Sequence, residues 1–225
     1  RMKSGLPVAS LVGYTNAGKS TIFNRLSRSS VPAKNQPFST LDPITRRVRL
    51  PSGDDVLLTD TVGFINKLPP TLVSAFHATL EGLQDADVLI HVVDASSPYA
   101  AEQGLVVENT LSELGMGDKS KLVVLNKMDS LQQESNTESK ILDKHKYAYS
   151  GNISNRADPF LPNTRSSDLW NRLHARYPTV LVSASEGWNM DGLLEELQIV
   201  LMPEWEARTR WESGRETGNP HWFAQ

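Results

Sequence analysis

A glycine-rich segment between an apolar run and a helix-like run constrains the fold more than any other feature of the sequence. Residues 6–12 are apolar and partly β-branched, which predicts a short buried strand. Residues 13–20 follow the pattern glycine, four residues, glycine–lysine–serine, and the apolar spacing from Lys19 onwards is helical. The backbone N–H groups of such a loop curl around a phosphate at the N-terminus of the helix. The segment therefore predicts a phosphate-binding loop at the end of a buried strand.

The side chains of this loop suggest how a nucleotide and its metal ion would be held. Lys19 would place a point charge on the β- and γ-phosphates, and the Ser20 hydroxyl would ligate Mg²⁺. The other residues would contribute mainly their backbone. The predicted nucleotide-binding residues of this segment are Gly13, Tyr14, Thr15, Asn16, Ala17, Gly18, Lys19, Ser20 and Thr21.

The rest of the chain alternates buried strands with helices, which predicts an α/β fold with a mostly parallel sheet. Strands are predicted at residues 6–12, 46–50, 56–59, 88–93, 122–125 and 180–182. Helices are predicted at residues 19–27, 72–83, 101–114 and 192–201. The turn at Ser52-Gly53-Asp54 would join two of the strands into a hairpin. We therefore expect six strands with one antiparallel edge strand and helices on both faces of the sheet.

A second motif indicates which base is bound. Residues 126–129 read Asn-Lys-Met-Asp at the end of a buried strand, the guanine-reading pattern of GTPases. The Asp129 carboxylate can accept hydrogen bonds from N1 and N2 of guanine, and adenine offers no such pair, which opposes an ATPase interpretation. Asn126 would either satisfy O6 or N7 or brace the loop, and Lys127 belongs to the same site. A capped turn is the alternative to this interpretation. Ser183, Ala184 and Ser185 follow the last strand, where backbone N–H groups would cap guanine O6.

A third motif, Asp60-Thr61-Val62-Gly63, also ends a strand. Asp60 would hold the hydration shell of Mg²⁺, and the Gly63 N–H would meet the γ-phosphate. A simple turn is the alternative, but the position of the motif, on the second strand after the phosphate loop, favours the metal site. Thr61 and Val62 are included among the nucleotide-binding residues.

A polar loop at residues 29–42 would close over the metal and the γ-phosphate. Thr40 is the preferred ligand there, and Phe38 is included in the nucleotide site. Ser39 and Thr45 are the alternatives, but Thr45 is predicted to begin the hairpin strand. The candidate catalytic residues are Lys19, Thr40 and Gly63, and the candidate Mg²⁺ ligands are Ser20, Thr40 and Asp60.

These motifs together resemble the HflX GTPases of the Obg–HflX group of translation-associated GTPases. The resemblance covers residues 6–128 and resumes weakly at 180–201. It rests on residues 8–25, on Phe38-Ser39-Thr40-Leu41-Asp42-Pro43, and most specifically on residues 60–81. That last stretch includes Phe64-Ile65, Leu68-Pro69, Ala75-Phe76 and Thr79-Leu80-Glu81. Obg relatives are similar in the phosphate loop and the Thr-Leu loop but not in this stretch.

The resemblance implies the P-loop GTPase fold. It also implies a GTP-hydrolysing protein that uses Mg²⁺ and binds the large ribosomal subunit to split or rescue stalled ribosomes. It also implies that ATP is sometimes accepted, and that Asn16 helps to bind K⁺ beside the phosphates. An Obg-like GTPase of ribosome assembly is the alternative. Family members carry an N-terminal domain and a helical segment before the G domain, so we expect this sequence to be the G domain of a longer chain.

Phe64 stands where GTPases of the Ras type place a glutamine that orients the attacking water. Phenylalanine has no donor or acceptor, so we expect slow hydrolysis alone and stimulation by a partner. A nucleotide-dependent binding module with negligible hydrolysis is the alternative from another functional class.

Composition excludes several other classes of protein. The net charge of −3, from 23 basic and 26 acidic residues, excludes a broad basic field for nucleic acid. The absence of cysteine excludes disulfides, thiolate catalysis and cysteine-held metals. Apolar runs are too short to span a membrane. We expect a monomer, cytoplasmic if bacterial and in a mitochondrion or plastid if eukaryotic.

Other segments and side chains leave interpretations open. We expect the GTPase domain to occupy residues 1–203, with a polar, partly disordered insertion at about 130–178, followed by a tryptophan-containing polar tail at 204–225. His77 and His91 are interpreted as packing or surface residues. Three arginines, Arg46, Arg47 and Arg49, would either protect an edge strand or contact ribosomal RNA phosphates.

Overall fold

Six strands pair into one sheet with a single antiparallel pair among the described residues. The structure is a computed structural model that describes residues 5–28, 43–61, 63–64, 83–134 and 176–216. The strands are β1 Val8–Gly13, β2 Ile44–Arg49, β3 Asp55–Asp60, β4 Val88–Asp94, β5 Ser120–Asn126 and β6 Thr179–Leu181. Their order is β2-β3-β1-β4-β5-β6, with β2 antiparallel to β3 and all other neighbours parallel. The predicted sheet is confirmed.

Helices cover both faces of this sheet, as predicted. They are α1 Lys19–Ser27, α2 Ala100–Glu113, α3 Met128–Glu134 and α4 Met190–Glu216. On one face, Phe23 of α1 and Leu197 of α4 belong to the buried cluster that includes Leu11 of β1. On the other face, Val107 of α2 packs with Leu89 of β4. Burial of apolar side chains on both sides explains why the central strands are apolar along their whole length.

The strand order places a topological switch at β1. From β1 the chain runs to β2 and β3, which lie on one side of β1. From β3 it crosses to β4, on the other side of β1. In open α/β sheets, a crevice for ligands forms where the connections leave in opposite directions, at the carboxyl ends of the strands. The phosphate-loop motif and both strand-end motifs lie at this edge.

Helix α4 extends beyond its predicted end, and helix α3 was not predicted. Helix α4 extends to Glu216 and passes through Pro203, where the sequence predicted an end at 201. Proline removes one backbone donor, but Leu193, Leu197 and Leu201 hold the preceding turns in the core. Helix α3 lies at the start of the predicted polar insertion, because Met128 and Leu131 pack against the cluster of Val123 and Leu125.

Several predicted elements lie outside the described residues. These are the loop at 29–42, most of the helix at 72–83, His77, and the insertion between 135 and 175. The division of the chain at residue 203 stays a prediction. Among the described residues, no helix combines the length and the apolar character that a membrane crossing requires.

Candidate functional site

The phosphate-loop motif has a backbone that glycine alone accommodates at two positions. Gly13 has φ 152° and Gly18 has φ 98°. A Cβ on Gly13 would lie 2.2 Å from the carbonyl oxygen of Val92, and one on Gly18 would lie 2.2 Å from Nδ2 of Asn126. Asn16 adopts the left-handed conformation between them, with φ 62°. Contacts with Val92 of β4 and Asn126 at the end of β5 therefore require glycine at both positions of the motif.

Lys19 begins α1 and folds back over this loop. Its Nζ donates to the carbonyl oxygens of Gly13 at 3.1 Å and Tyr14 at 3.0 Å, and the residue is 6% exposed. Burial lowers the pKa of Lys19 to about 8, although the charge of Asp60 acts in the opposite direction. The ammonium group therefore lies inside the loop, in a position to meet an anion at the helix N-terminus.

Ser20 and Asp60 form an oxygen pair beside the lysine. Ser20 Oγ donates to Asp60 Oδ2 over 2.6 Å, and both residues are buried. The pairing of β1 with β3 sets Asp60 opposite Leu11, which brings the end of β3 to the phosphate loop. A hydroxyl and a carboxylate are ligands that Mg²⁺ favours, so this pair fits the metal that the sequence predicts.

The segment after β3 packs directly on the loop. Phe64 N donates to the carbonyl oxygen of Gly13 at 3.0 Å, and Thr15 N donates to that of Phe64 at 2.9 Å. A Cβ on Gly63 would lie 2.9 Å from Thr15 Cα and 3.0 Å from Lys19 Nζ. Gly63 is therefore held against the loop at a distance that excludes any larger residue.

The side chain of Phe64 belongs to the hydrophobic core. It is 2% exposed and lies in the buried cluster with Val12, Leu83 and Leu89. Phe64 stands where Ras-type GTPases have a glutamine, and its side chain thus packs in the core.

Asn126 connects the two loops that the sequence assigned to the nucleotide. Its Nδ2 donates to the carbonyl oxygen of Ala17 at 2.9 Å, and its Oδ1 accepts from Ala184 N at 3.0 Å. Both contacts are buried. Of the two roles that the sequence left open for Asn126, the structure exhibits the bracing of the loop.

The carboxylate of Asp129 lies in a network of hydroxyl groups. Ser183 Oγ donates to Asp129 Oδ1 at 2.6 Å and lies 3.1 Å from Ser185 Oγ. Lys127, with φ 65°, donates from Nζ to Asp94 Oδ2 at 2.7 Å. The residues of the predicted base site are therefore brought together and oriented at the ends of β4, β5 and β6.

The remaining predicted residues are placed as follows. Thr21 lies in the first turn of α1, and the Thr61 hydroxyl donates to the carbonyl oxygen of Leu11 at 2.6 Å. Thr45 is inside β2, with its hydroxyl 2.9 Å from that of Thr59, which agrees with its predicted place in the hairpin. Phe38, Thr40 and Val62 lie outside the described residues, so their roles stay predictions.

The sequence motifs missed one contact with the site. Arg25 of α1 donates from Nε to the carbonyl oxygen of Ala184 at 2.9 Å and from Nη2 to that of Ser185. A basic residue six positions after the motif lysine was the only local signal. Nothing local linked it to a loop about 160 residues away.

A buried charged group lies away from this edge of the sheet. Glu108 of α2 accepts from Lys121 Nζ at 2.7 Å and lies 3.1 Å from His91 Nδ1. Burial raises the pKa of Glu108, but the hydrogen bonds with His91 and Lys121 outweigh it and lower the value to about 2. Within the described ranges, no group of three or more His, Asp and Glu side chains is arranged to hold a metal. His91 is fully buried within β4, so of the two roles predicted for it, packing or surface, it has the packing role.

Comparison with known proteins agrees with this geometry. Residues 8–127 match the family described as 50S ribosome-binding GTPases. A GTPase HflX of Lacrimispora saccharolytica is 52% identical over 58% of this chain and 31% of its own length. One of Spirochaeta thermophila is 39% identical over 86% of this chain and 39% of its own length. The alignments thus span less than half of these curated relatives.

A solved structure supports the fold. A GTP-binding protein from the archaeon Sulfolobus solfataricus, in complex with GDP, superposes with a TM-score of 0.62. It is 24% identical, and the match covers 88% of this chain and 53% of the archaeal one. At this identity the likeness extends to the P-loop GTPase fold alone.

Proposed function

Since the chain belongs to the family of 50S ribosome-binding GTPases, we propose that it binds Mg²⁺–GTP and hydrolyses it to GDP and phosphate. The observation that carries the proposal is the bridge through Asn126, which joins the phosphate loop at Ala17 to the base loop at Ala184. This bridge fixes the separation of the two loops on one edge of the sheet, which supports their assignment as the proposed phosphate and guanine sites. The curated relatives that it matches are named GTPase HflX.

In this proposal the base is selected by Asp129, whose carboxylate accepts from N1 and N2 of guanine. Ser183 donates to one of its oxygens and so orients the carboxylate. The test is a titration with fluorescent GDP and ADP in Mg²⁺ buffer. Tight binding of GDP alone supports the assignment, and equal binding of both nucleotides overturns it.

The phosphates are met by Lys19, by the backbone of the loop and by the Gly63 N–H. Mg²⁺ would be held by Ser20, by Asp60 through its hydration shell, and by Thr40, and would neutralise charge on the β- and γ-phosphates. The oxygen pair of Ser20 and Asp60 supports this assignment. Thr40 is included among the proposed Mg²⁺ ligands because of its position in the sequence alone.

Hydrolysis is proposed to be slow without a partner. Phe64 is buried in the core, so its side chain provides neither a donor nor an acceptor for the attacking water. The large ribosomal subunit is the proposed partner, and a monomer is the proposed binding unit. In a bacterium this function belongs to the cytoplasm. Single-turnover phosphate release, measured with and without 50S subunits, tests the proposal, which predicts a clear acceleration by 50S.

Phosphate release also distinguishes hydrolysis from a second candidate function, and a sedimentation assay distinguishes a third. A nucleotide-dependent binding module, which the buried Phe64 also favours, would bind GTP without phosphate release under either condition. If 50S accelerates hydrolysis, splitting of 70S ribosomes in a sedimentation assay distinguishes the HflX-like action from an Obg-like role in assembly. The 52% identity to an HflX protein favours splitting or rescue.

A monovalent cation is proposed to supply charge beside the phosphates. Asn16 lies at the turn of the loop, in the left-handed conformation. Potassium at this position would act in the way an arginine finger acts elsewhere. The proposal predicts faster phosphate release in K⁺ than in Na⁺ at equal ionic strength, and equal rates would overturn it.

A further inference from the structure

Arg25 stands apart from every motif that the proposed function uses. It lies on the exposed side of α1, yet its guanidinium donates to two consecutive carbonyl groups of the base loop. The acceptors are the backbone oxygens of Ala184 and Ser185. A guanidinium has several donors in a rigid fork, which suits it to hold two acceptors in a fixed relation.

These contacts determine the direction of a specific backbone donor. A trans peptide is planar, with its C=O and the next N–H pointing to opposite sides. By fixing the carbonyl of Ala184 towards α1, Arg25 turns the N–H of Ser185 away from α1. The neighbouring donors are already engaged, because Ala184 N bonds to Asn126 Oδ1 at 3.0 Å and Glu186 N to Ser183 Oγ at 3.3 Å. The direction of the Ser185 N–H is therefore set by Arg25.

We infer that Arg25 is a positioning residue for base specificity, which orients the Ser185 N–H towards the 6-oxo group of guanine. The inference rests on the proposed function, because it presumes that the base lies between this loop and Asp129. In this inference the Ser185 N–H donates to guanine O6, and Arg25 on α1, the helix that also carries Lys19, sets the direction of that N–H. The base loop is then held at two points, to the phosphate loop through Asn126 and to α1 through Arg25.

The exposure of Arg25 makes this inference accessible to mutation. Exposed polar contacts contribute little to folding stability, so Arg25→Ala is expected to fold. Arg25→Lys keeps the charge but replaces the fork by one ammonium group. Arg46→Ala is the matched control, because Arg46 is exposed on β2 and its guanidinium donates within that strand, to the Thr45 carbonyl oxygen.

The experiment measures dissociation constants of GDP, 6-thio-GDP and IDP for the wild type and these three variants. 6-Thio-GDP replaces the O6 acceptor by a weaker sulfur, whereas IDP removes the N2 amino group that Asp129 would read. Arg25→Ala is expected to weaken GDP binding about tenfold, as for the loss of one hydrogen bond. It should also shrink the preference for GDP over 6-thio-GDP and leave the preference for GDP over IDP unchanged. Arg25→Lys should fall between the wild type and Arg25→Ala.

Two outcomes would overturn the inference. The first is that Arg25→Ala binds all three nucleotides as Arg46→Ala does. The second is that Arg25→Ala weakens all three by the same factor, which would mean that Arg25 supports the loop without orienting the donor. Failure of the wild type itself to bind GDP would instead overturn the proposed function. The two failures are therefore distinguishable.

Discussion

The carboxamide of Asn126 occupies the space that a side chain on Gly18 would need. A Cβ at position 18 would lie 2.2 Å from Asn126 Nδ2, far inside van der Waals contact. From that space Nδ2 reaches the carbonyl oxygen of Ala17. The glycine of the phosphate motif thus serves the base loop as well, because it admits the side chain that links the two.

Replacing Gly18 by alanine should therefore abolish nucleotide binding. The methyl group would displace Asn126 and break both of its buried hydrogen bonds. Gly115→Ala is the control, because Gly115 also has positive φ, at 74°, but a methyl group there would meet no described atom within 4 Å. Both variants carry a backbone strain of about 1–2 kcal/mol. In a GDP titration, Gly115→Ala should bind and Gly18→Ala should not. Retained binding by Gly18→Ala would contradict the role proposed for the Asn126 bridge in holding the site.

Asp129→Asn should change the preferred base from guanine to xanthine. Xanthine has an oxygen where guanine has the 2-amino group, so the amide of asparagine can donate where the carboxylate accepted. Ser183 can still donate to the remaining side-chain oxygen, which should preserve the loop. Loss of the charge-assisted pair should weaken GDP binding about a hundredfold. Competition between GDP and XDP measures the change, and Asp118→Asn, at an exposed aspartate, is the control.

Phe64→Gln should destabilise the protein without accelerating hydrolysis. The Phe64 side chain points into the cluster of Val12 and Leu89, so glutamine there would bury an amide rather than orient water. We expect a loss of about 3 kcal/mol or more in the free energy of unfolding. Phe64→Leu should cost about 1 kcal/mol, because it keeps an apolar side chain. Denaturant unfolding and single-turnover phosphate release check both effects. Faster hydrolysis at unchanged stability would show that the side chain reaches the γ-phosphate.

The chemistry of the site was more predictable than the contacts that hold it together. Residues 13–20 and 126–129 are local patterns, and the carboxyl ends of parallel strands meet at one edge, so their proximity followed from the fold class. The contact from Arg25 to Ala184 joins residues 159 positions apart, and no local pattern encodes it. The sequence alone showed that Phe64 has no polar group. The burial of its side chain depends on packing partners from β1 and β4, which the sequence does not identify.

The bounds of the helices illustrate the same limit. The sequence predicted that the last helix ends at residue 201, and the proline at position 203 disfavours a helix interior. Helix α4 nevertheless continues through Pro203 to Glu216. Burial of Leu197 and Leu201 anchors the turns before the proline. A local signal such as Pro203 therefore does not determine by itself where a helix ends.

The partly buried pair of Glu108 and Lys121 should make the stability of the protein depend on acidic pH. The pKa of Glu108 is lowered from 4.5 to about 2, so the folded state favours the charged carboxylate. The resulting stabilisation, on the order of 1–2 kcal/mol because solvent screens this partly exposed carboxylate, is present above pH 4.5 and is lost as the pH falls towards about 2. Glu108→Gln should be less stable at neutral pH and should flatten this decline. Glu113→Gln, at an exposed position on the same helix, is the control for urea titrations at several pH values.

Nucleotide binding should be coupled to proton uptake by Lys19 at alkaline pH. Burial lowers the pKa of Lys19 to about 8 in the protein without nucleotide, so the amine loses its proton as the pH rises through that value. Phosphate oxygens favour the charged ammonium and would raise the pKa again, so binding must take up a proton. The affinity for GDP should therefore fall above pH 8, by at most about tenfold per pH unit. Calorimetry in buffers of different ionisation enthalpy should give an uptake that grows between pH 7 and 8.5 and stays below one proton per nucleotide. An uptake near zero at pH 8.5 would mean that Lys19 keeps its proton in the free protein.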